Sequence, residues 1–174
     1  MSDPYPKLVG LLSRATQELF QHNGLIVVPS AMRGEPPKGR QVLGMVGFGG
    51  VDMRGTLAIL ADETFWRKIA PPVLPESDPI LADMVGEFAN MLLGKVRNAI
   101  LPLGADVATA IPSALCGTDL ALHRTSVARP DWHVFDSDNG PFFVRLHVAF
   151  RKDFRFVEDS PWSVRPSHSD LVLF

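Results

Sequence analysis

Cysteine is almost missing from this chain: one residue, Cys116, among 174. A lone thiol closes no internal disulfide, so the fold must rest on its core and needs no oxidising compartment. An excess of one charge is missing too. Seventeen Lys and Arg against nineteen Asp and Glu leave a net charge of -2, which removes the general electrostatic case for nucleic acid or an anionic membrane as partner. No run of about eighteen apolar residues occurs, so no membrane-spanning helix is expected. The opening MSDPYPKLVGLLSR lacks the basic, apolar and cleavage segments of a signal peptide, and the expectation is a cytoplasmic protein. GFGG at 47–50 is followed by no Lys-Ser/Thr, so it is no phosphate loop, and there is no GxSxG nucleophile elbow. Tandem repeats and low-complexity blocks are absent. What is present is an ordinary globular composition, 46% hydrophobic and 21% charged. That is enough for one domain with a sizeable core, read here as residues 1–155 with a C-terminal tail over 156–174.

Residues 7–21, KLVGLLSRATQELFQ, space Leu8, Leu11, Leu12, Ala15, Leu19 and Phe20 as one helical stripe, with His22-Asn23-Gly24 as its stop. Leu25–Val28 is a short apolar run read as a strand, and RGEPPKGR at 33–40 a loop. QVLGMVGF (41–48) and RGTLAIL (54–60) read as two strands joined by a hairpin at Gly49-Gly50-Val51-Asp52. A helix over 63–70 follows, with an acid in its first turn and Pro71-Pro72 as its end. Asp78-Pro79 fits an N-cap and first position for a long helix over 79–100. Beyond Pro102-Leu103-Gly104, strands are expected at 106–111, 119–127, 131–136 and 141–150, the last two joined at Asn139-Gly140 through a type I′ turn. The proline- and serine-rich stretch 157–170 reads as a surface tail. The terminal LVLF is apolar enough to dock on the core or on a partner.

The long helix carries the functional argument. At about 100° per residue, Asp83, Asn90, Gly94, Arg97 and Asn98 fall within roughly 80° of Glu87. Leu81, Val85, Phe88, Ala89, Leu92, Val96 and Ala99 fall opposite. Polar residues on an outer helix face are ordinarily just solvated. Two of these ask for more. Glycine at 94 costs about 1 kcal/mol against alanine in a helix interior, and removes bulk from the polar side. Asn90 is a mediocre helix former with no cap to make. Acid and amide three residues apart project together, with Cβ atoms about 5–6 Å apart. The helix thus offers an acceptor and a water-orienting amide beside a flat patch, an arrangement suited to insertion into another protein's active site.

Other constellations carry less. His123, His133 and His147 fall on expected strands without tight ligand spacing, and ordinary sheet histidines are the default. Asp136, Asp138 and Gly140 begin like a calcium loop but lack the later acid, since 147 is His147. Cys116 has no base nearby in sequence and reads as a buried structural thiol. Trp66, Trp132 and Trp162 read as packing residues. No metal or cofactor bound by this chain is expected.

The stretch DMVGEFANMLLG, residues 83–94, resembles the helix motif of the CheC/CheX/FliY phosphatases of bacterial chemotaxis: Asp or Ser, three residues, Glu, two residues, Asn, three residues, Gly. Asp83, Glu87, Asn90 and Gly94 fit every position. The first helix ending near Gly24, the strand–strand–helix unit over 46–70, and Ala110-Ile111-Pro112 through Gly117 after the motif helix extend the resemblance over roughly residues 7–152. It implies an α/β fold with helices packed on a largely antiparallel sheet and the motif helix exposed. It also implies hydrolysis of the aspartyl phosphate of a CheY-like response regulator, with Mg²⁺ held in the partner's active site. Asn90 would orient the attacking water and Glu87 would pair with the regulator's lysine. Gly94 would allow close approach, and Asp83 would support docking or the helix. CheC-type members carry the motif twice. Here the other candidate is Glu18 with Gln21, and Leu25 stands where a glycine is required. A single site, and with it a homodimer, is what CheX-type members imply. The alternative is a non-catalytic module that docks the same helix on a receiver domain or another signalling partner.

Overall fold

The computed structural model describes residues 3–31, 34–36, 38–72, 78–122 and 132–157. Helix α1 (Tyr5–His22) is followed by β1 (Val27–Pro29), the hairpin β2 (Arg40–Gly49) and β3 (Met53–Asp62), and the short α2 (Glu63–Ile69). Helix α3 (Asp78–Ile100) ends in a 3-10 turn at Leu101–Leu103, and β4 (Ala108–Thr109), β5 (Ser113–Thr118), β6 (His133–Ser137) and β7 (Phe142–Phe150) complete the chain. The strands form one sheet in the order β1-β6-β7-β3-β2, with β4 and β5 both on the free edge of β2. Every pairing is antiparallel. The expected α/β architecture, helices on a largely antiparallel sheet, is the one present.

Strand alternation sorts the core into two layers. Val42, Ala61, Phe142 and Phe135 are register partners across four strands and face the helices. One residue along, Leu43, Leu60, Phe143 and Val134 make the matching row on the opposite face. There they pack with Ala58 and Trp132 as a smaller cluster that no helix residue joins. This is why QVLGMVGF is apolar at almost every position. On the helix side, Phe20, Phe65, Trp66, Phe88 and Phe142 interlock, with Phe20 and Phe142 ring centres 4.3 Å apart. The buried Trp66 indole donates to the Val42 carbonyl at 3.2 Å, so no polar atom of that ring is stranded.

Helix α1 buries Leu8, Leu12, Ala15, Leu19 and Phe20, as its spacing predicts. It stops where expected: Asn23 Nδ2 donates to the Leu19 carbonyl at 2.8 Å, and Gly24 turns at φ 79. Helix α3 lies unusually close to the sheet because β2 offers Gly44. A Cβ there would overlap the Val85 carbonyl oxygen. Both ends of α3 are tied by charge. At its start Arg40 bridges Glu63 and Asp78, while Arg67 reaches Glu63 at 2.7 Å and Asp78 at 3.5 Å. At its end Arg97 Nε donates to Asp106 at 2.8 Å.

Four expectations need correction. The strand expected at 106–111 is only two residues long. The strand that matters is β5, whose Ser113–Thr118 pairs with Met45–Arg40. SALCGT has little β propensity of its own, and pairing with β2 decides its conformation. The expected strand 119–127 does not begin. Asp119 adopts φ 53 and turns the chain, its carboxylate accepting from Gly39 N at 2.8 Å and Gln41 Oε1 accepting from Leu120 N at 2.8 Å. Residues 123–127 lie outside the described residues. The β6–β7 hairpin exists, but not through a type I′ turn: only Gly140 has positive φ, and the Ser137 hydroxyl donates to the Gly140 carbonyl at 2.8 Å while accepting from Asn139 N at 3.2 Å. Asp78 is the first helical residue rather than the cap, its carboxylate spent on the two arginines. Of the tail expected over 156–174, residues 158–174, with Trp162 and LVLF, lie outside the described residues, as do residues 73–77 between α2 and α3.

Candidate functional site

The four motif residues rise from the solvent side of α3. Glu87 and Asp83 are exposed, and Asn90 and Gly94 half-exposed. Val85, Phe88, Ala89, Leu92 and Val96 are buried beneath them. The apolar face thus fixes which way the polar face points. Asn90 Nδ2 stands 3.5 Å from Glu87 Oε2, at the outer limit of a hydrogen bond, so each group keeps its capacity for an outside partner. Among the described residues no basic side chain pairs with Glu87 or Asp83. A Cβ at Gly94 would meet nothing within 4 Å. The glycine opens the turn beyond Asn90 and is not there to fit the interior.

Neighbouring elements frame this ridge. On one side Lys95 reaches Glu18 of α1 at 3.9 Å. On the other, the link from β4 to β5 passes beside Gly86, where a Cβ would lie 3.6 Å from Ala114 Cβ and 3.9 Å from Pro112 Cβ. Chemically, the ridge presents a carboxylate that accepts and a carboxamide that both donates and accepts without titrating. Such a pair is suited to position and polarise the groups of a partner.

The remaining candidates do not converge on it. His133 sits on β6 opposite Val144 and His147 on β7 opposite Thr56, both half-buried, while His123 lies outside the described residues. Asp136, Asp138 and Gly140 belong to the β6–β7 hairpin. Cys116 is half-buried rather than buried. Its thiol donates to the Asp78 carbonyl at 3.6 Å. Burial, then the charges of Asp78 and Glu63, push its pKa up, which makes it a poor nucleophile. Among the described residues no group of His, Cys, Asp and Glu is arranged to hold a metal, and no helix is long and apolar enough to cross a membrane. Sequence reasoning passed over Met91, 42% exposed, and Ile111, 90% exposed. Met91 could have been found on the same helical wheel, within about 40° of Glu87. Ile111 sits in irregular chain, where no periodicity marks a side chain as displayed.

The model of a family described as chemotaxis phosphatase CheX matches residues 42–133, more than half of the chain, from within β2 through β3, α2, α3, β4 and β5. No curated protein matches by sequence. Among solved structures, the chemotaxis protein CheX from Vibrio vulnificus is 22% identical with a TM-score of 0.68, over 82% of this chain and 99% of that one. A CheC-like superfamily protein from Shewanella sp. PV-4 is 21% identical with a TM-score of 0.68, over 82% and 97%. The CheX–CheY–BeF3–Mg²⁺ complex from Borrelia burgdorferi gives a match at 14% identity with a TM-score of 0.57, over 84% and 97%. At these identities the likeness establishes the fold.

Proposed function

The chain belongs to the CheX family of chemotaxis phosphatases, and from that premise we propose that it hydrolyses the aspartyl phosphate of a CheY-like response regulator. The observation that carries this reading is the solvent-facing pair Glu87 and Asn90, 3.5 Å apart on a ridge left open at Gly94. In the reaction a water attacks phosphorus in line with the bond to the aspartyl oxygen. That bond breaks, and inorganic phosphate and a free aspartate carboxylate result. The phosphoryl group is already activated, and Mg²⁺ belongs to the regulator's own site. What this chain adds is placement and electrostatics, the dominant contributions in phosphoryl transfer.

Asn90 enters the regulator's pocket and orients the attacking water through hydrogen bonds of its carboxamide, which takes no proton from it. Glu87 accepts from the regulator's active-site lysine and sets the register of docking. Asp83, one turn earlier, supports that contact, and Gly94 lets the regulator's backbone approach. The CheX–CheY complex among the structural neighbours supports a receiver domain as the class of partner. A homodimer belongs to the same proposal, to be read as twice the 19.1 kDa chain mass in light scattering.

The test is phosphate release from an Mg²⁺-loaded, phosphorylated receiver. The unmutated protein accelerates it, and Asn90→Ala loses about 100-fold in rate, the scale set by misplacing a reacting group, while binding to the receiver is retained. No acceleration by the unmutated protein, with binding intact, would leave a docking module in place of an enzyme.

A further inference from the structure

The edge of the sheet beside α3 contains a bulge. Ala110 N donates to the Gly47 carbonyl at 2.8 Å, and Ser113 pairs with Met45. Two residues, Ile111 and Pro112, therefore stand opposite the single Val46. A bulge re-aims a side chain, and bulges gather at sheet edges next to active sites. Here Pro112 takes the inner place, packed toward Gly86 of α3, the residue just before Glu87. Ile111 is thrown outward and is 90% exposed, the highest value among the large apolar side chains of the described residues. On the helix itself, Met91 follows Glu87 by one helical turn and is 42% exposed. Single exposed apolar residues are ordinary on a surface. Here Met91 lies on the same helical face as Glu87, and the bulge that bears Ile111 meets α3 at Gly86, so exposed apolar side chains stand beside the weakly bonded Glu87–Asn90 pair.

We infer that Ile111 and Met91 are docking residues for the receiver domain, apolar anchors beside Glu87 and Asn90 that seat its phosphorylation site on the ridge. This rests on the reading of that ridge as a phosphatase site. The occupant is a receiver because this apolar surface is continuous with the groups that meet its phosphate and lysine: Pro112 ties the bulge to the very turn that bears Glu87. The anchors touch neither the water nor the phosphoryl group, so they act on affinity and not on the chemical step. Water expelled from an anchor side chain in a fitted pocket accounts for roughly a tenfold or larger change in affinity per residue. Methionine, unbranched and polarisable, adapts to the partner's shape, whereas the isoleucine is stiff and sets position.

The experiment titrates CheY-like receivers loaded with beryllofluoride and Mg²⁺ into the unmutated chain, Ile111→Ser, Met91→Gln and Asn90→Ala, with the oligomeric state of each checked by light scattering. Ile111→Ser and Met91→Gln are expected to raise Kd about tenfold each and KM in parallel, with kcat within twofold. Asn90→Ala shows the opposite split. An unchanged Kd for Ile111→Ser overturns the inference and leaves the phosphatase reading standing. Altered self-association of Ile111→Ser with unchanged receiver affinity overturns it too, and assigns the bulge to a second copy of this chain. If no receiver binds the unmutated protein, both the inference and the reading beneath it fall.

Discussion

Helices α1 and α3 pack on each other on one face of the sheet, and each bears an acid followed three residues later by an amide: Glu18 and Gln21 on the first, Glu87 and Asn90 on the second. They differ in what lies one turn further. On α3 that place is Gly94, with open space where a side chain would be. On α1 the helix has ended at His22, and the corresponding Leu25 is turned inward and buried. Glu18 also has a cation beside it, Lys95 at 3.9 Å, whereas Glu87 has none among the described residues. Identical spacing of similar groups thus yields a candidate site in one helix and an ordinary surface in the other. The deciding property is clearance, which depends on where the helix stops.

That contrast can be attacked directly. The largest effect belongs to the amides: against the about 100-fold loss from Asn90→Ala, Gln21→Ala is expected to leave phosphate release within twofold. Comparable losses from both would make α1 a second site. Next, Gly94→Leu gives α3 the residue that α1 has. Receiver hydrolysis should fall about tenfold while thermal stability rises, because replacing a helical glycine recovers up to about 1 kcal/mol. A simultaneous loss of stability would show that Gly94 serves the fold after all. Gly44→Ala forces α3 away from β2 and should destabilise by about 1–3 kcal/mol in denaturant titration, the usual cost of overpacking, with a several-fold loss of activity as the ridge shifts.

The smallest effect is acid-dependent. Burial raises the Glu63 carboxyl, but hydrogen bonds and charge from Arg67 and Arg40 outweigh it and hold the pKa below the ordinary carboxylate range. A carboxyl depressed in the folded state stabilises above its unfolded value, and that contribution fades as pH falls through the folded one. Glu63→Gln should therefore lower Tm at neutral pH, and the gap to the unmutated protein should close in acid. A gap independent of pH would remove the ion pairs as its cause.

How much of this could be read beforehand differs by element for physical reasons. Helix α3 and its exposed motif were legible because periodicity, a misplaced glycine and an amide without a cap all coincide in 23 residues. The β2–β3 hairpin was legible from turn residues between two apolar runs. The edge was not. Ser113–Thr118 becomes strand only because β2 offers it a partner, and Asp119 leaves the strand with its carboxylate accepting from Gly39 N and its own N–H donating to the Gly39 carbonyl, a contact 80 residues away in sequence that propensity does not encode. Asn139-Gly140 predicts a type I′ turn, yet the Ser137 hydroxyl selects another geometry. At the site, the pair Glu87/Asn90 and the neighbouring Met91 are legible on the helical wheel, whereas the display of Ile111 is not, since a bulge exists only in relation to the neighbouring strand.

The ties at either end of α3 have a mechanical consequence. Asp78 is gripped by Arg40 and Arg67 from β2 and α2, Arg97 holds Asp106, and Lys95 leans on α1. A rod braced at head, waist and foot has little left to order when a visitor arrives, so the entropy normally surrendered by a recognition surface is already spent during folding. If the proposed function holds, selectivity for a phosphorylated regulator resides largely in the visitor, whose pocket must match a surface set in place by folding.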